Sequence, residues 1–136
     1  MEAEKVLKVP AELDKVYEVQ DFVNGVLEAH DCGMKAQMQV EIAVEELFVN
    51  IAHYAYPNGK GDAEIAVGVE DGVASITFRD AGIPYDPLAK EDPDVTQKAE
   101  DRSIGGLGIY MVKKSMGEML YRYEEGHNVL TIRKKI

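Results

Sequence analysis

The sequence predicts an α+β domain: a two-layer α/β sandwich whose mixed, mostly antiparallel sheet carries helices on one face. Three observations lead there. The alternating runs 63–69 and 73–80 are joined by Asp71-Gly72, a strong signal for an antiparallel hairpin. A second pair of runs, 118–125 and 128–135, flanks Gly126-His127-Asn128. Upstream of both hairpins lie two segments of helical periodicity, and their apolar stripes need a sheet face to cover.

Taken in order, residues 5–9 form a short strand closed by Pro10. Residues 11–29 suit a helix, with Leu13, Val16, Val19, Phe22, Val23 and Val26 near one stripe. The run His-Asp-Cys-Gly at 30–33 reads as a turn. A second helix spans 34–54 and stops before Pro57, Asn58 and Gly59. The hairpin of 63–80 follows. Residues 81–103 hold three prolines and six acids with little periodicity, as expected of a long loop that acts as a lid or stays disordered. The segment from Ser103 opens with glycines and continues as a helix, and the second hairpin closes the chain. No internal repeat or linker divides it, so residues 1–136 are expected to be one domain.

Composition narrows the partners. Hydrophobic residues make up 46% of the chain, enough for a core, and no apolar run is long enough to cross a bilayer. No signal-peptide pattern opens the sequence, and the single cysteine, Cys32, cannot form an internal disulfide. Both features fit a cytoplasmic setting. A net charge of -10 argues against direct nucleic-acid binding and against an anionic membrane. It leaves room for a small anionic ligand, because a few backbone N–H groups bind phosphate whatever the global charge.

The second helix holds the most informative constellation. Glu46, Asn50 and His53 stand at i, i+4 and i+7 and share one face. Val40, Val44, Leu47, Phe48 and Ile51 lie mainly on another. Such a polar stripe is the ordinary mark of a solvated outer face, which is the plainer reading of the helix alone. It also suits a ligand site. Asn50 offers a neutral oxygen to a hard cation such as Mg2+, which keeps waters and bridges to phosphates. Glu46 can serve as a general base, while a lone helix histidine such as His53 is more often structural.

Two glycine-containing segments flank the loop. In Phe78-Arg79-Asp80-Ala81-Gly82, Asp80 falls in phase with Ala74, Ile76 and Phe78, so a carboxylate is aimed at the apolar face of its own strand. It can cap a turn through its own backbone, or accept a hydrogen bond from the exocyclic amine of adenine, with Gly82 leaving room for a flat ring. Downstream, Gly105, Gly106 and Gly108 sit where loop becomes helix, a place where free N–H groups favour phosphate. The spacing fits neither the Walker loop nor the dinucleotide fingerprint. Arg102 brings one positive charge, for a phosphate or for a lid carboxylate.

The order of these segments resembles the ATPase domain shared by gyrase, the chaperone Hsp90, histidine kinases and MutL, the GHKL or Bergerat fold. It looks most like the branch of anti-sigma factors that are also serine protein kinases. The run 45–56 is similar to the N box, 79–87 to the first glycine box, and 102–112 to the second glycine box at the end of an ATP lid, here about 81–106. The resemblance covers nearly the whole chain. It implies ATP and Mg2+ as cofactors. Asn50 would ligate the metal, Glu46 would act as catalytic base, and Asp80 with Gly82 would hold adenine. Gly105, Gly106, Leu107 and Gly108 would line the phosphates. His53, Pro84 and Arg102 would belong to the nucleotide wall, and Thr131 would supply a hydroxyl near adenine. The implied partners are an anti-anti-sigma (STAS) domain phosphorylated on serine, a sigma factor held by the chain, and a second copy in a homodimer. Two departures stand out. Many relatives carry histidine where this chain has Tyr54, and Pro84 replaces a frequent second glycine. An enzyme, a nucleotide-switched binding module and a partner-binding domain without nucleotide all remain open at this level.

Overall fold

The computed structural model describes residues 4–88 and 106–136. Five strands form one sheet in the order β1-β2-β3-β5-β4: β1 (Lys5–Pro10), β2 (Asp62–Glu70), β3 (Val73–Asp80), β4 (Glu118–Glu124) and β5 (His127–Lys135). Every pair is antiparallel, so the mixed character expected from sequence is not seen among the described strands. Pro10 is tolerated because β1 is an edge strand and needs no donor on its outer side. Among the described residues three α-helices complete the layer: α1 (Val16–Ala29), α2 (Met34–Tyr54) and α3 (Gly106–Ser115). The helical stretch expected from residue 11 begins as a 3-10 turn, Leu13–Lys15, and becomes α-helical only at Val16.

Both hairpins close through two residues of positive φ, Asp71-Gly72 at 52° and 76° and Glu125-Gly126 at 53° and 78°. That pairing is the twist-compatible primed turn. The second turn therefore ends before His127, one residue earlier than the sequence suggested, and His127 and Asn128 belong to β5.

The core lies between the helices and one face of the sheet. Ile65, Val67, Ala74, Ile76, Phe78 and Ile132 are buried from the sheet side, and Val19, Val23, Leu27, Val40, Val44, Leu47 and Phe48 from the helices. Cross-strand register aligns the inward residues in rows, among them Ile65–Phe78–Leu130 and Ala63–Asp80–Asn128. The second row carries polar groups at the sheet end nearest the C-terminus of α2. The opposite face bears Glu64, Ala66, Thr77 and Arg79. No described helix is long and apolar enough to cross a membrane.

Candidate functional site

A narrow cleft opens between α2 and the polar end of the sheet. Asn50, Ile51 and Tyr54 line it from α2, Phe78 and Asp80 from β3, Tyr85 and Pro87 from the segment after β3, and Tyr121 and Asn128 from β4 and β5. Its cavity volume is about 40 Å3, room for water but not for a heterocycle. The rings of Tyr54 and Tyr85 stack in its wall at 5.7 Å and 25°.

Asp80 is the buried acid of this cleft, 5% exposed. Its Oδ1 accepts two hydrogen bonds, from the Gly82 N–H at 2.9 Å and from Asn128 Nδ2 at 2.9 Å. The first closes the turn that the sequence allowed as a purely local role. Among the described residues no donor meets Oδ2, and that oxygen is not sealed from solvent, so the carboxylate keeps a free acceptor. Turn-capping thus occupies one oxygen of the side chain, and the described residues leave the other unclaimed.

Asn128 holds this arrangement. Its Nδ2 donates also to the Ile83 carbonyl at 2.8 Å, and its Oδ1 accepts the Tyr85 N–H at 3.0 Å and the Tyr121 hydroxyl at 2.5 Å. The amide is satisfied on both sides by protein, so its task is to orient Asp80 and to tie the 83–85 segment to β5.

Asn50 is the contrasting amide. It lines the same cleft, and its Nδ2 is buried without a partner among the described residues. Rotating the amide exchanges Nδ2 for Oδ1 at little cost. An amide left unsatisfied in the wall is what a neutral cation ligand looks like before the cation arrives. Among the described residues no cluster of three or more His, Cys, Asp or Glu can hold a metal by itself. A cation beside Asn50 therefore needs oxygens from a ligand or water, which suits Mg2+.

Glu46, one turn earlier, faces the first turn of α3. A Cβ built on Gly108 would lie 1.9 Å from Glu46 Oε1, so that glycine makes room for the carboxylate. Burial first, and the neighbouring Glu45 charge second, raise the Glu46 carboxyl above the ordinary glutamate range.

The architecture agrees with what this chain resembles. The model of the histidine kinase-like ATPase domain matches residues 9–134. The chain belongs to that family. Serine-protein kinase RsbW of Bacillus cereus strain AH820 is 26% identical over 128 residues, spanning 91% of this chain and 80% of that protein. RsbW of Bacillus anthracis strain A0248 matches to the same extent. The solved structure of the Acinetobacter baumannii histidine kinase AdeS superposes with a TM-score of 0.55 at 13% identity, over 96% of this chain and 68% of that one, and supports the fold.

Within this ATPase fold, the residues singled out from sequence separate. Asn50 and Asp80 come together in the cleft. His53 is exposed on the end of α2, its ring tilted against Tyr54 at 5.9 Å, and does not line the cleft. Pro84 is exposed and lines an outer groove with Tyr56 and Lys60 instead. Gly82 serves a different contact from the one expected. A Cβ there would lie 2.2 Å from the Ala55 carbonyl oxygen, so the space it leaves is filled by the end of α2, whose Ala55 carbonyl accepts the Ile83 N–H at 2.9 Å.

Thr131 is a correction. It is opposite Thr77 and shares its hydroxyl hydrogen bond at 3.0 Å, on the sheet face away from Asp80. The position beside the acid belongs to Asn128, directly across from Asp80 in the β3–β5 register. The signal was present in the sequence: Asn128, Leu130 and Ile132 alternate on the inward face, and Thr131 is out of phase with them. Arg102 and Gly105 lie outside the described residues, as does most of the expected lid. Gly106 and Leu107 open α3.

Proposed function

We propose that this chain binds Mg-ATP in the cleft between α2, the end of β3 and the start of α3, and that it is an anti-sigma-type protein serine kinase. The observation that carries the reading is that Asp80, with one oxygen unclaimed by the described residues, lines the same cleft as the unpaired Asn50 amide. Asp80 supplies an ionised acceptor for the adenine amine, and Asn50 supplies an oxygen for Mg2+, which when bound would neutralise phosphate charge. By the family pattern Gly105, Gly106 and Gly108 would supply the backbone approach to phosphate, with Leu107 in the same motif, and Arg102 would supply a cation. Glu46 is the base for a serine hydroxyl. Its raised pKa brings it nearer the range in which a base works efficiently. Phosphoryl transfer asks mainly for positioning and charge stabilisation. The likeness to RsbW supports serine as acceptor. A STAS-domain anti-anti-sigma factor as substrate, a sigma factor as sequestered partner, a homodimer and a cytoplasmic setting complete the proposal. So do a single domain over 1–136 and a lid over about 81–106.

The test is calorimetric titration of Mg-ATP into the wild type and Asp80→Asn, followed by transfer to a STAS partner with Glu46→Ala as control. In Asp80→Asn the oxygen can stay with Gly82 and Asn128, which leaves an NH2 donor where Oδ2 stood. It then meets the adenine amine donor to donor. Affinity falls by about 1.5–3 kcal/mol if the acid reads adenine. Equal binding by both proteins removes the reading.

One observation favours a second reading, a nucleotide-switched binding module without transfer. The cleft is too narrow for a heterocycle, the Tyr54–Tyr85 stack forms its wall and the 83–85 segment is tied to Asn128, so nucleotide entry must rearrange an external segment. Binding with ordering of the lid but no transfer to any STAS partner would select it.

A further inference from the structure

Tyr56 stands just past α2, at the end of the run likened to the N box, and was given no role there. Its hydroxyl accepts the Ala81 N–H at 2.9 Å and donates to the Asp62 carbonyl at 2.7 Å. Ala81 carries the peptide that immediately follows Asp80, and Asp62 opens β2. The ring lies across Gly61 so closely that a Cβ there would meet Tyr56 ring carbons at 2.2 Å. Next to it in sequence, the Ala55 carbonyl takes the Ile83 N–H at 2.9 Å. Residues 55 and 56 are therefore the joint between the helix that carries Asn50 and the strand end that carries Asp80. Among the described side chains, only that of Tyr56 is hydrogen-bonded to both the start of β2 and the peptide after Asp80.

We infer that Tyr56, seated on Gly61, is a positioning residue that fixes the strand-end turn and thereby aims Asp80 Oδ2 at the purine amine. The physical reason is geometric. Asp80 reads a ligand through one free oxygen, and the direction of that oxygen follows the Asp80–Gly82 turn. The Gly82 N–H and Asn128 hold the carboxylate from within, while Tyr56 holds the Ala81 peptide from outside. Tyr56→Phe keeps the ring on Gly61 and removes only the hydroxyl, which leaves the Ala81 peptide without its outer restraint and the turn held from within alone. The inference rests on the proposed nucleotide site.

The experiment compares Mg-ATP with Mg-ITP, whose base lacks the exocyclic amine, on wild type, Tyr56→Phe and Gly61→Ala. Wild type prefers ATP. In Tyr56→Phe the ATP preference falls about three- to tenfold, the scale of one hydrogen bond, while ITP affinity is kept. Gly61→Ala pushes the ring away with the hydroxyl intact and reproduces the loss. A purely structural role lowers ATP and ITP together and overturns the inference, as does a variant preference equal to that of the wild type. A wild type that binds ATP and ITP equally instead overturns the assignment of Asp80 as amine reader, and the role of Tyr56 with it.

Discussion

Replacing Asn128 by alanine tests whether the inner end of the sheet is held as the hydrogen bonds indicate. The side chain is 6% exposed and takes part in four bonds, with Asp80 Oδ1, the Ile83 carbonyl, the Tyr85 N–H and the Tyr121 hydroxyl. Each is worth about 0.5–1.5 kcal/mol net, with the bond to the carboxylate at the upper end. The four share one amide, so their losses do not simply add. Burial also leaves the former partners without easy access to water. Together these bound the loss at about 2–5 kcal/mol, a large part of the ~5–15 kcal/mol that holds a domain together. Urea unfolding at pH 7 reads this as a lower midpoint at unchanged slope. Mg-ATP titration of the same variant reads weaker binding, because Asp80 loses one of the two groups that orient it. A stability loss below about 1 kcal/mol with unchanged affinity would refute the reasoning, since no amide buried with four partners is that dispensable.

Three further outcomes are expected. Thr131→Val loses the hydroxyl pair with Thr77 and costs about 0.5–1.5 kcal/mol by urea unfolding, with Mg-ATP affinity unchanged because that pair faces away from the cleft. Gly82→Ala sets a Cβ against the Ala55 peptide, which is backbone and cannot swing aside, and costs about 1–3 kcal/mol on the same measurement. Glu46→Gln raises stability at neutral pH. The folded-state pKa of Glu46 is raised, so the folded chain holds that proton more tightly than the unfolded one. Its contribution is favourable at low pH and is lost as pH rises through the raised value. The advantage of the glutamine variant in urea midpoint therefore grows from acid to neutral pH, and an advantage independent of pH would contradict the assignment.

Much of the fold was legible because local signals agreed with one another. The bounds of α2 and β3 follow from apolar period and from the breakers at 57–59 and 71–72, and both helix and strand end where those signals put them. Asp80 was legible because it is a polar residue where the strand pattern calls for an apolar one, and Asn50 because it shares a polar stripe with Glu46 on a largely apolar helix. What escaped is what depends on register and close approach. No local signal shows that β5 inserts between β3 and β4, so nothing assigned Asn128 to Asp80 until the pairing was known. The position given to Thr131 belongs to Asn128, three residues earlier, and in a period of two an odd offset moves a side chain through the sheet. Gly82 and Gly108 were legible as glycines with a purpose, but the objects they admit, the Ala55 carbonyl and the Glu46 carboxylate, come from a helix more than 25 residues away in sequence. Tyr56 escaped because its bonds to Ala81 and Asp62 exist only once the loop after α2 folds over Gly61.

The closed cleft bears on the nucleotide reading through its magnitude. Admitting adenine requires the Tyr54–Tyr85 stack to part and the Tyr85 N–H to leave Asn128. An aromatic pair is worth about 0.5–1.5 kcal/mol beyond its burial, and a backbone hydrogen bond about 1 kcal/mol net. Tyr54 is already 46% exposed, so little more surface is uncovered when it swings away. Opening therefore costs about 1.5–2.5 kcal/mol, which weakens the apparent affinity by about 10- to 70-fold. Micromolar binding corresponds to about 8 kcal/mol, so the cost lowers affinity without abolishing it. The same figure makes Tyr54 a point of control. Its replacement by a smaller side chain removes part of the opening cost and should tighten Mg-ATP binding, whereas a cleft that was open from the outset would lose an aromatic wall and bind more weakly. The sign of that change, read by the same titration, separates a closed resting state from an open one.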